Sequence, residues 1–289
     1  MSTINVQTLA LAQNYGHISD LLGRSFNRLS SGLRLTDPSS DPTGVGAVGK
    51  LDAQHKRAQA AAINVQNAAS YVQSSVSIIA SMAGLITRMS ELTQFASDGT
   101  KSAGDIALYQ TEFTGLQEQL RATIGGTTAE IGGTTGILKP LGSFNGVPLY
   151  GANPAGTSIA SGSYAGDTIV MPENNLRNGA MVELFKQDAA GNYALSVTTP
   201  GATQTITAAI SDLADERSIL AGVGSRLDFA ASSLAVESQN LTAVISRIQD
   251  VDVASESTHL TKFNLLLESG AAMLSQANQS PKAVLQLLK

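Results

Sequence analysis

The sequence of 289 residues contains no cysteine and no tryptophan, and aromatic residues make up only 4% of it. Without cysteine the chain forms no disulfide, offers no thiol for catalysis and has no Cys-based zinc site. Its apolar side chains are mostly small, which suits narrow seams between helices better than a thick globular core. This composition fits a protein of a reducing cell, or an exported protein that folds without disulfides.

Charge is also sparse, at 14% of residues with a formal net charge of -5, and no Lys/Arg cluster stands out. Nucleic acid is therefore not an expected partner. The N-terminal stretch lacks the basic, apolar and small-residue regions of a cleaved secretory signal. No run of 18 apolar residues predicts a membrane span, so no membrane partner is expected. Export would have to use a route that reads no cleaved signal.

Heptad repeats give the strongest periodic signal. Near the C-terminal end a column at a spacing of seven consists of Leu213, Leu220, Leu227, Leu234, Leu241 and Ile248. We predict that its companion column is Ile210, Arg217, Gly224, Ala231, Ser238 and Ile245. The small or polar middle of that second column indicates a thin coiled-coil seam that permits close approach of helices.

A matching pair of columns lies in the first half of the chain. The leading column is Leu51, Ala58, Val65, Val72, Ile79 and Ile86, and the predicted companion is Val48, His55, Ala62, Ala69, Val76 and Ala83. Two long helices of similar length are implied, as in an extended bundle. A shorter third helix is predicted over residues 105–123, with Tyr109, Phe113, Leu116 and Leu120 on one face.

Between residues 125 and 204 the pattern becomes rich in turns, with short β-prone runs at DTIVM, AMVELF and NYALSVT. This predicts a small β insert containing a hairpin. The chain ends, residues 1–35 and 256–289, instead carry apolar residues at helical spacing. Their apolar stripes would be exposed in a lone subunit and therefore need a partner.

Residues 41–51, DPTGVGAVGKL, match two nucleotide-binding patterns, because Gly44, Gly46 and Gly49 fit G-x-G-x-x-G and Lys50 extends a partial phosphate loop. The preceding RLTDPSSDPT predicts a loop instead of the buried strand that such a site requires. Leu51 also stands where a Ser or Thr must reach magnesium. A nucleotide-binding enzyme using the loop from Gly44 to Lys50 stays an unfavoured alternative, and we expect no catalytic residue, cofactor or metal site.

The residues beside that loop carry a resemblance. Arg28 to Leu35, RLSSGLRL, is similar to the N-terminal signature of bacterial flagellin, while SRIQDVD at residues 246–252 and ANQSPKAVLQLLK at residues 277–289 resemble its two C-terminal motifs. FNGV at residues 144–147 is similar to the family's turn at the entry to its β region. The resemblance covers roughly residues 1–150 and 205–289.

The resemblance implies a mainly α fold: a long-helix coiled-coil bundle formed by both ends of the chain, with a small β-hairpin-containing insert. Residues 1–40 and 252–289 would pair as helices lining a filament lumen, residues 41–140 and 205–251 would form the coiled-coil domain, and residues 141–204 would face outward. The implied function is a secreted, self-assembling subunit of the bacterial flagellar filament used for swimming, exported unfolded through the flagellar type III apparatus. Implied partners are other copies of the chain, flagellar cap and hook-junction proteins, and an export chaperone. A hook–filament junction protein is the alternative within the flagellum.

The resemblance also assigns sites. The expected assembly residues of the terminal motifs are Leu29, Ser30, Ser31, Gly32, Leu33, Arg34, Ala277, Asn278, Gln279, Leu285 and Leu288. Arg88, Glu91 and Leu92 match the patch by which vertebrate innate receptors detect many flagellins, although Ser90 stands where an Arg is usual.

Overall fold

The computed structural model describes residues 2–151, 156–164, 166–172, 174 and 176–287. Within them the helices are α1 (Ser2–Ser31), α2 (Pro42–Ala96), α3 (Ala103–Ile124), α4 (Thr128–Ile131), α5 (Gly179–Glu183), α6 (Ala202–Gln249) and α7 (Val253–Leu287). The strands are β1 (Ser143–Phe144), β2 (Val147–Pro148), β3 (Thr157–Ala160) and β4 (Thr168–Met171). This confirms the mainly helical fold with a small β insert, and it confirms the predicted third helix.

Local chemistry explains where the helices begin and end. α2 starts at Pro42, which has no N–H to leave unpaired, and the Asp41 carboxylate accepts a 2.8 Å hydrogen bond from the Gly44 N–H. α3 starts with a reciprocal capping box between Ser102 and Asp105. α1 ends at Ser31, and the next residue, Gly32, has a φ of 72° in the left-handed region that a glycine occupies without strain.

The chain divides into two compact units, one formed by residues 1–56 and 238–289 and the other by residues 57–237. In the first unit α1 and α7 lie side by side and antiparallel. Ser25 Oγ donates a 2.6 Å hydrogen bond to Glu256 Oε1, and further along a Cβ placed on Gly270 would lie 3.4 Å from Tyr15 Cδ2. The absence of a side chain at Gly270 therefore lets the two helices come close.

The second unit has a continuous core built on the leading heptad columns. The α2 column of Ala58, Val65, Val72, Ile79 and Ile86 is buried, as is the α6 column of Leu213, Leu220, Leu227 and Leu234. Phe113 and Leu120 of α3 join this core, with Tyr109 and Leu116 packed partly buried against it.

The predicted companion columns are right only in part: on α2, Ala62, Val76 and Ala83 pack half-buried against the core, but the most deeply buried companions stand one position earlier. The buried residues that accompany the leading columns lie three residues after them: Ala61, Ala68, Ser75, Met82 and Met89 on α2, and Val223 on α6. Of the predicted α6 companions, Ile210, Arg217 and Ala231 are exposed. A heptad column can pack together with the neighbouring column on either side of it. Beside the α6 leucine column the residues on both sides are mostly small or polar, so hydrophobicity did not show which side is buried.

The insert consists of two separate two-stranded antiparallel hairpins, β1–β2 and β3–β4. Asn145 and Gly146 join β1 to β2 with φ values of 50° and 78°, as a type I′ turn requires. DTIVM forms β4, but AMVELF is wrong as a strand because it contains the short helix α5. Met181, Val182, Leu184 and Phe185 of this run are all buried. The run is apolar because it packs into the core, and not because its side chains alternate between the two faces of a strand.

A buried guanidinium holds the loop before the insert in place. Arg121 is 5% exposed and donates hydrogen bonds to the carbonyl oxygens of Ile131 at 2.5 Å, Gly132 at 2.7 Å and Thr135 at 3.1 Å. Burial lowers the pKa of Arg121, and the carbonyl oxygens supply the partners that its positive charge requires. One side chain thus fixes several turns of a loop that has little regular structure.

By length and composition alone, α2 and α6 would be apolar enough to cross a membrane, which the sequence had not led us to expect. In the second unit, however, the leading apolar columns of both helices are buried inside the protein. Core helices of this kind satisfy the same two criteria without a bilayer.

Candidate assembly surfaces

The two motifs nearest the chain's terminal helices are hydrogen-bonded to each other. The Val251 N–H donates to Gly32 O at 3.0 Å, and the Arg34 N–H donates to Gln249 O at 2.7 Å. Leu33 and Asp250 form an antiparallel bridge between these bonds. We call residues 28–35 together with residues 246–252 the terminal joint. It connects segments more than 200 residues apart in sequence.

Arg34 closes the end of α6 within this joint. Its Nε and Nη2 atoms donate to the Ile248 carbonyl oxygen at 3.2 and 2.8 Å. Carbonyl groups of the last helical turn have no partner within the helix, and the negative end of the helix dipole favours a cation there. Arg34 also lies 3.8 Å from Asp41, the residue that caps α2.

The serine and glycine of the joint shape the end of α1. The Ser31 hydroxyl donates to Asn27 O at 2.8 Å, and its oxygen accepts from the Leu33 N–H at 3.3 Å. Leu29 and Leu33 are half-buried, while Ser30 is exposed. The SSG sequence therefore ends one helix and turns the chain toward residues 246–252.

A polar cluster beside the joint was not foreseen from the sequence. Ser25 is 1% exposed and bonds Glu256, which also lies 3.9 Å from Arg28. A serine and a glutamate 231 positions apart carry no local signal of their pairing. One hint was present in the sequence. A serine within the apolar stripe of α1 would be buried, and a buried hydroxyl needs a hydrogen-bond partner.

Large apolar side chains remain uncovered on both terminal helices. Leu9 is 60% and Phe26 63% exposed on α1, and Leu265 is 59% and Met273 60% exposed on α7. The contact between α1 and α7 therefore uses one side of each helix and leaves apolar surface on another. Exposed apolar area of this kind is typical of a surface that binds another protein.

The second C-terminal motif lies in the last turns of α7. Ala277 is half-buried and Gln279 is exposed. The side chains of Asn278 and Leu285, and the whole of Leu288, lie outside the described part of the chain. The structure brings the N-terminal motif to residues 246–252, with no described contact to residues 277–287.

The α6 leucine column lies where a seam requires it. Leu213, Leu220, Leu227, Leu234 and Leu241 are buried, and Ile248 is half-buried. Gly224 lies close to α2, since a Cβ there would stand 3.8 Å from Val72 Cγ1. Beside Leu241, His55 Nε2 lies 3.0 Å from Ser238 Oγ, which makes it a packed polar residue of the seam.

The three residues of the receptor-like patch, Arg88, Glu91 and Leu92, differ in exposure. Arg88 forms ion pairs with Glu112 at 2.6 Å and Glu91 at 2.8 Å, and these bonds raise the pKa of its guanidinium. Leu92, in contrast, is fully buried in the core. Recognition by an innate receptor therefore stays a prediction that rests on Arg88 and Glu91, with Leu92 beneath the surface.

The glycine pattern that resembled a nucleotide site belongs to a helix. Gly44, Gly46, Gly49 and Lys50 all lie within α2, and the segment before it contains an isolated bridge at Leu33 instead of a strand. The Gly44 N–H, which a phosphate would need, is taken by Asp41. Among the described residues no group of three or more His, Asp or Glu side chains is placed to hold a metal ion.

Comparison with known proteins agrees with this arrangement. Residues 3–129 match the family model of the bacterial flagellin N-terminal helical region, and residues 203–288 match that of the C-terminal helical region. A flagellin of Halalkalibacterium halodurans is 29% identical over 266 residues, covering 92% of this chain and 91% of the relative. Flagellin FlaB1 of Treponema pallidum is 25% identical over 303 residues, covering 99% and 98%. A flagellin of Bacillus subtilis is 46% identical over 81 residues, which is 28% of this chain and 27% of that protein. With both helical regions matched and its two signature segments bonded to each other, the chain belongs to the bacterial flagellin family.

Proposed function

We propose that this chain is the structural subunit of a helical flagellar filament, assembled outside the cell from many copies after unfolded export through the flagellar type III apparatus. The observation that carries the proposal is the pairing of α1 with α7, which leaves apolar side chains such as Phe26 and Met273 uncovered. A lone subunit gains nothing from exposing them. A polymer buries them against its neighbours.

The proposed arrangement places residues 1–40 and 252–289 at the filament lumen, residues 41–140 and 205–251 around them, and residues 141–204 outward. Burial supports this order. The second unit has its own core, whereas α1 and α7 have mostly half-buried contact residues. Helices with so thin a contact gain order by binding neighbours, so folding of the ends is coupled to assembly.

The terminal joint has a defined part in this scheme. Its bonds between residues 32–34 and 248–251 fix where α1 and α7 leave the rest of the first unit. The motif residues Leu29 to Arg34 thus act by setting the direction of the assembling helices, and Ala277, Asn278, Gln279, Leu285 and Leu288 act at the far end of α7 in contacts between copies. Cap and hook-junction proteins would meet the filament ends, and an export chaperone would hold the chain beforehand.

Shearing filaments from cells that make this chain tests the proposal. The chain should be the major protein of the released fibres, and the isolated subunits should polymerise again onto sheared fragments. A chain present in only a few copies at the base of each filament would identify a hook–filament junction protein instead. A chain absent from the fibres would refute both roles.

A further inference from the structure

The contact between α1 and α7 buries a serine and leaves the neighbouring phenylalanine outside. Ser25 is 1% exposed and Phe26 is 63% exposed, although burial of Phe26 would remove far more apolar surface from water. Among the described side chains of α1 and α7, Ser25 alone is fully buried. A buried polar residue beside an exposed aromatic one reverses the usual order, so hydrophobicity does not select the covered face of α1.

Ser25 occupies a position that is otherwise apolar in the seam between the two helices. On α1 the half-buried Leu11 and Ile18 precede it at a spacing of seven. On α7 the half-buried Glu256 stands seven residues before Phe263, which is also half-buried. Each helix thus places one polar residue in an apolar heptad column. In coiled coils a single buried polar position fixes how two helices meet, at a cost in stability.

The two polar residues bond each other. The Ser25 Oγ atom donates a 2.6 Å hydrogen bond to Glu256 Oε1, and the Glu256 side chain is only 12% exposed. Arg28 Nη1 lies 3.9 Å from the other carboxylate oxygen, which places a positive charge beside the negative one. Because the hydroxyl and the carboxylate have largely left water, each needs the partner that this arrangement supplies.

A different rotation of α1 would break this pairing. Successive residues of an α-helix lie about 100° apart around its axis, so a turn by one residue would bring Phe26 to the seam in place of Ser25. Ser19, which is exposed and lies seven residues before Phe26, would be covered as well. That arrangement buries more apolar surface, but it places the Glu256 carboxylate against an aromatic ring without its hydrogen bond. The bonded pair therefore opposes the face that hydrophobicity favours.

We propose that Ser25 and Glu256 are a positioning pair that selects which face of α1 turns toward α7. The pair keeps Phe26 on the outside of the subunit, where it contacts a second copy of the chain in the proposed filament. This last step rests on the proposed function, whereas the choice of face is a property of the single subunit. The pair lowers the stability that the seam could reach, and it keeps the larger apolar side chain available for assembly.

Cysteine labelling of free subunits tests the choice of face, because the natural chain has no cysteine. Ser19→Cys places a thiol on the exposed Phe26 side of α1, and Gln13→Cys places a control thiol on a side of the helix that either rotation leaves exposed. Glu256→Gln keeps an oxygen that accepts the bond from Ser25. Glu256→Leu removes that oxygen and offers an apolar contact to Phe26.

Maleimide should react at position 19 at the same rate, within about twofold, in the natural chain and in Glu256→Gln. Glu256→Leu should slow the reaction at position 19 by at least about tenfold and leave position 13 within about twofold. Equal rates at position 19 in the two variants would overturn the proposal, as would equal slowing at positions 13 and 19. Circular dichroism first establishes that the helices form, and Glu256→Met replaces Glu256→Leu if the latter does not fold.

Polymerisation of the same variants without added cysteines supplies a second measurement. Glu256→Leu should leave about tenfold more free subunit in equilibrium with filaments than the natural chain, because Phe26 is then covered within the subunit. Glu256→Gln should polymerise as the natural chain does. Normal polymerisation of Glu256→Leu would overturn the role of the pair in assembly. Failure of the natural chain to polymerise would instead count against the proposed function, while labelling of the free subunits still decides the choice of face.

Discussion

At the residue scale, Arg34 shows that the N-terminal motif works through the segment it binds. Taken alone, RLSSGLRL is a helix end with two arginines. In the structure the side chain of its second arginine, Arg34, binds the Ile248 carbonyl at the end of α6, and the backbone of residues 32–34 pairs with residues 249–251. The sequence resemblance pointed to both segments, but no periodicity in either predicted that they bind each other.

Replacing Arg34 with Ala should loosen the terminal joint. The side chain is 46% exposed, so we expect its loss to cost only about 1 kcal/mol of unfolding free energy, less than the roughly 1.5–3 kcal/mol typical of a hydrogen bond from a charged group. Denaturant unfolding of the subunit measures this. Lys50→Ala, which removes an exposed cation from the same unit, is the control and should change stability by less than half as much. Equal losses in the two variants would mean that the bonds to Ile248 contribute nothing.

Glycines 46 and 49 pose the opposite question, because nothing in the subunit explains them. A Cβ added at either position would meet no atom within 4 Å. Alanine there should therefore stabilise the subunit by about 1 kcal/mol per site, the usual preference for Ala over Gly inside a helix. We nevertheless expect the double variant to assemble poorly or into filaments of altered shape, because a neighbouring copy or a bend of α2 uses the freed space.

Electron microscopy of the fibres, together with unfolding of the subunits, measures both effects. Gly84→Ala is the matched control, since it lies in the same helix and also has open space around it. It should give the same stabilisation with ordinary filaments. Ordinary filaments from the Gly46 and Gly49 variant would show that these glycines have no part in assembly.

At the scale of single elements, heptad spacing predicted the long helices and their leading columns but not the side on which each helix packs. The leucines of α6 are large and regular, so one column was evident. The neighbouring positions hold Arg, Gly and Ser on one side and Glu, Val and Ala on the other, and neither set is clearly apolar. Only the contacts with α2 and the insert decided between them. The same lack of local contrast hid α5, where four buried residues of one short run left no periodic pattern.

The observed side of α6 makes a direct prediction. Leu227→Ala removes a fully buried side chain and should cost about 2–5 kcal/mol of unfolding free energy. Ile210→Ala, at the position that heptad spacing alone favoured, should cost under about 1 kcal/mol because its side chain is 39% exposed. Denaturant midpoints of the two variants give the comparison, and similar losses would restore the companion column predicted from the sequence.

Two carboxylates of α3 should make the subunit sensitive to acid. Hydrogen bonds from Ser102 lower the pKa of Asp105 below its ordinary 3.8, and hydrogen bonds from Arg88 lower that of Glu112 below 4.5. Because both folded-state values lie below the unfolded ones, their contribution to stability is complete above the ordinary pKa values. It is lost as the pH falls through the folded-state values.

Unfolding free energies measured from pH 7 down to pH 3 should therefore decline below about pH 4.5, the range in which these carboxylates take up protons. Ser102→Ala removes the main cause of the Asp105 shift and should show a smaller decline over the same range. An identical pH dependence in the two proteins would mean that this cap has no part in acid stability.

At the scale of the whole molecule, the two units have different reasons for being stable. Residues 57–237 enclose a core in which Ile79, Leu120 and Phe185 are each at most 1% exposed. α1 and α7 have a polar cluster at Ser25 and Glu256 and a thin line of half-buried contacts, with large apolar residues left outside. The sequence predicted this contrast, because both ends carry apolar residues at helical spacing that a lone subunit would leave exposed. It could not predict the joint or the bonds of the buried Arg121, because both depend on residues that the sequence pattern does not pair.

The central claim is that the chain ends complete their folding by assembling with other copies. Hydrogen exchange measured on free subunits and then on filaments grown from them tests it most directly. We predict that amides of α1 and α7 exchange at least about a hundredfold more slowly in the filament, while core amides of α2 and α3 change far less. Filaments whose α1 and α7 amides exchange as in the free subunit, or a folded chain that forms no filaments, would contradict the claim.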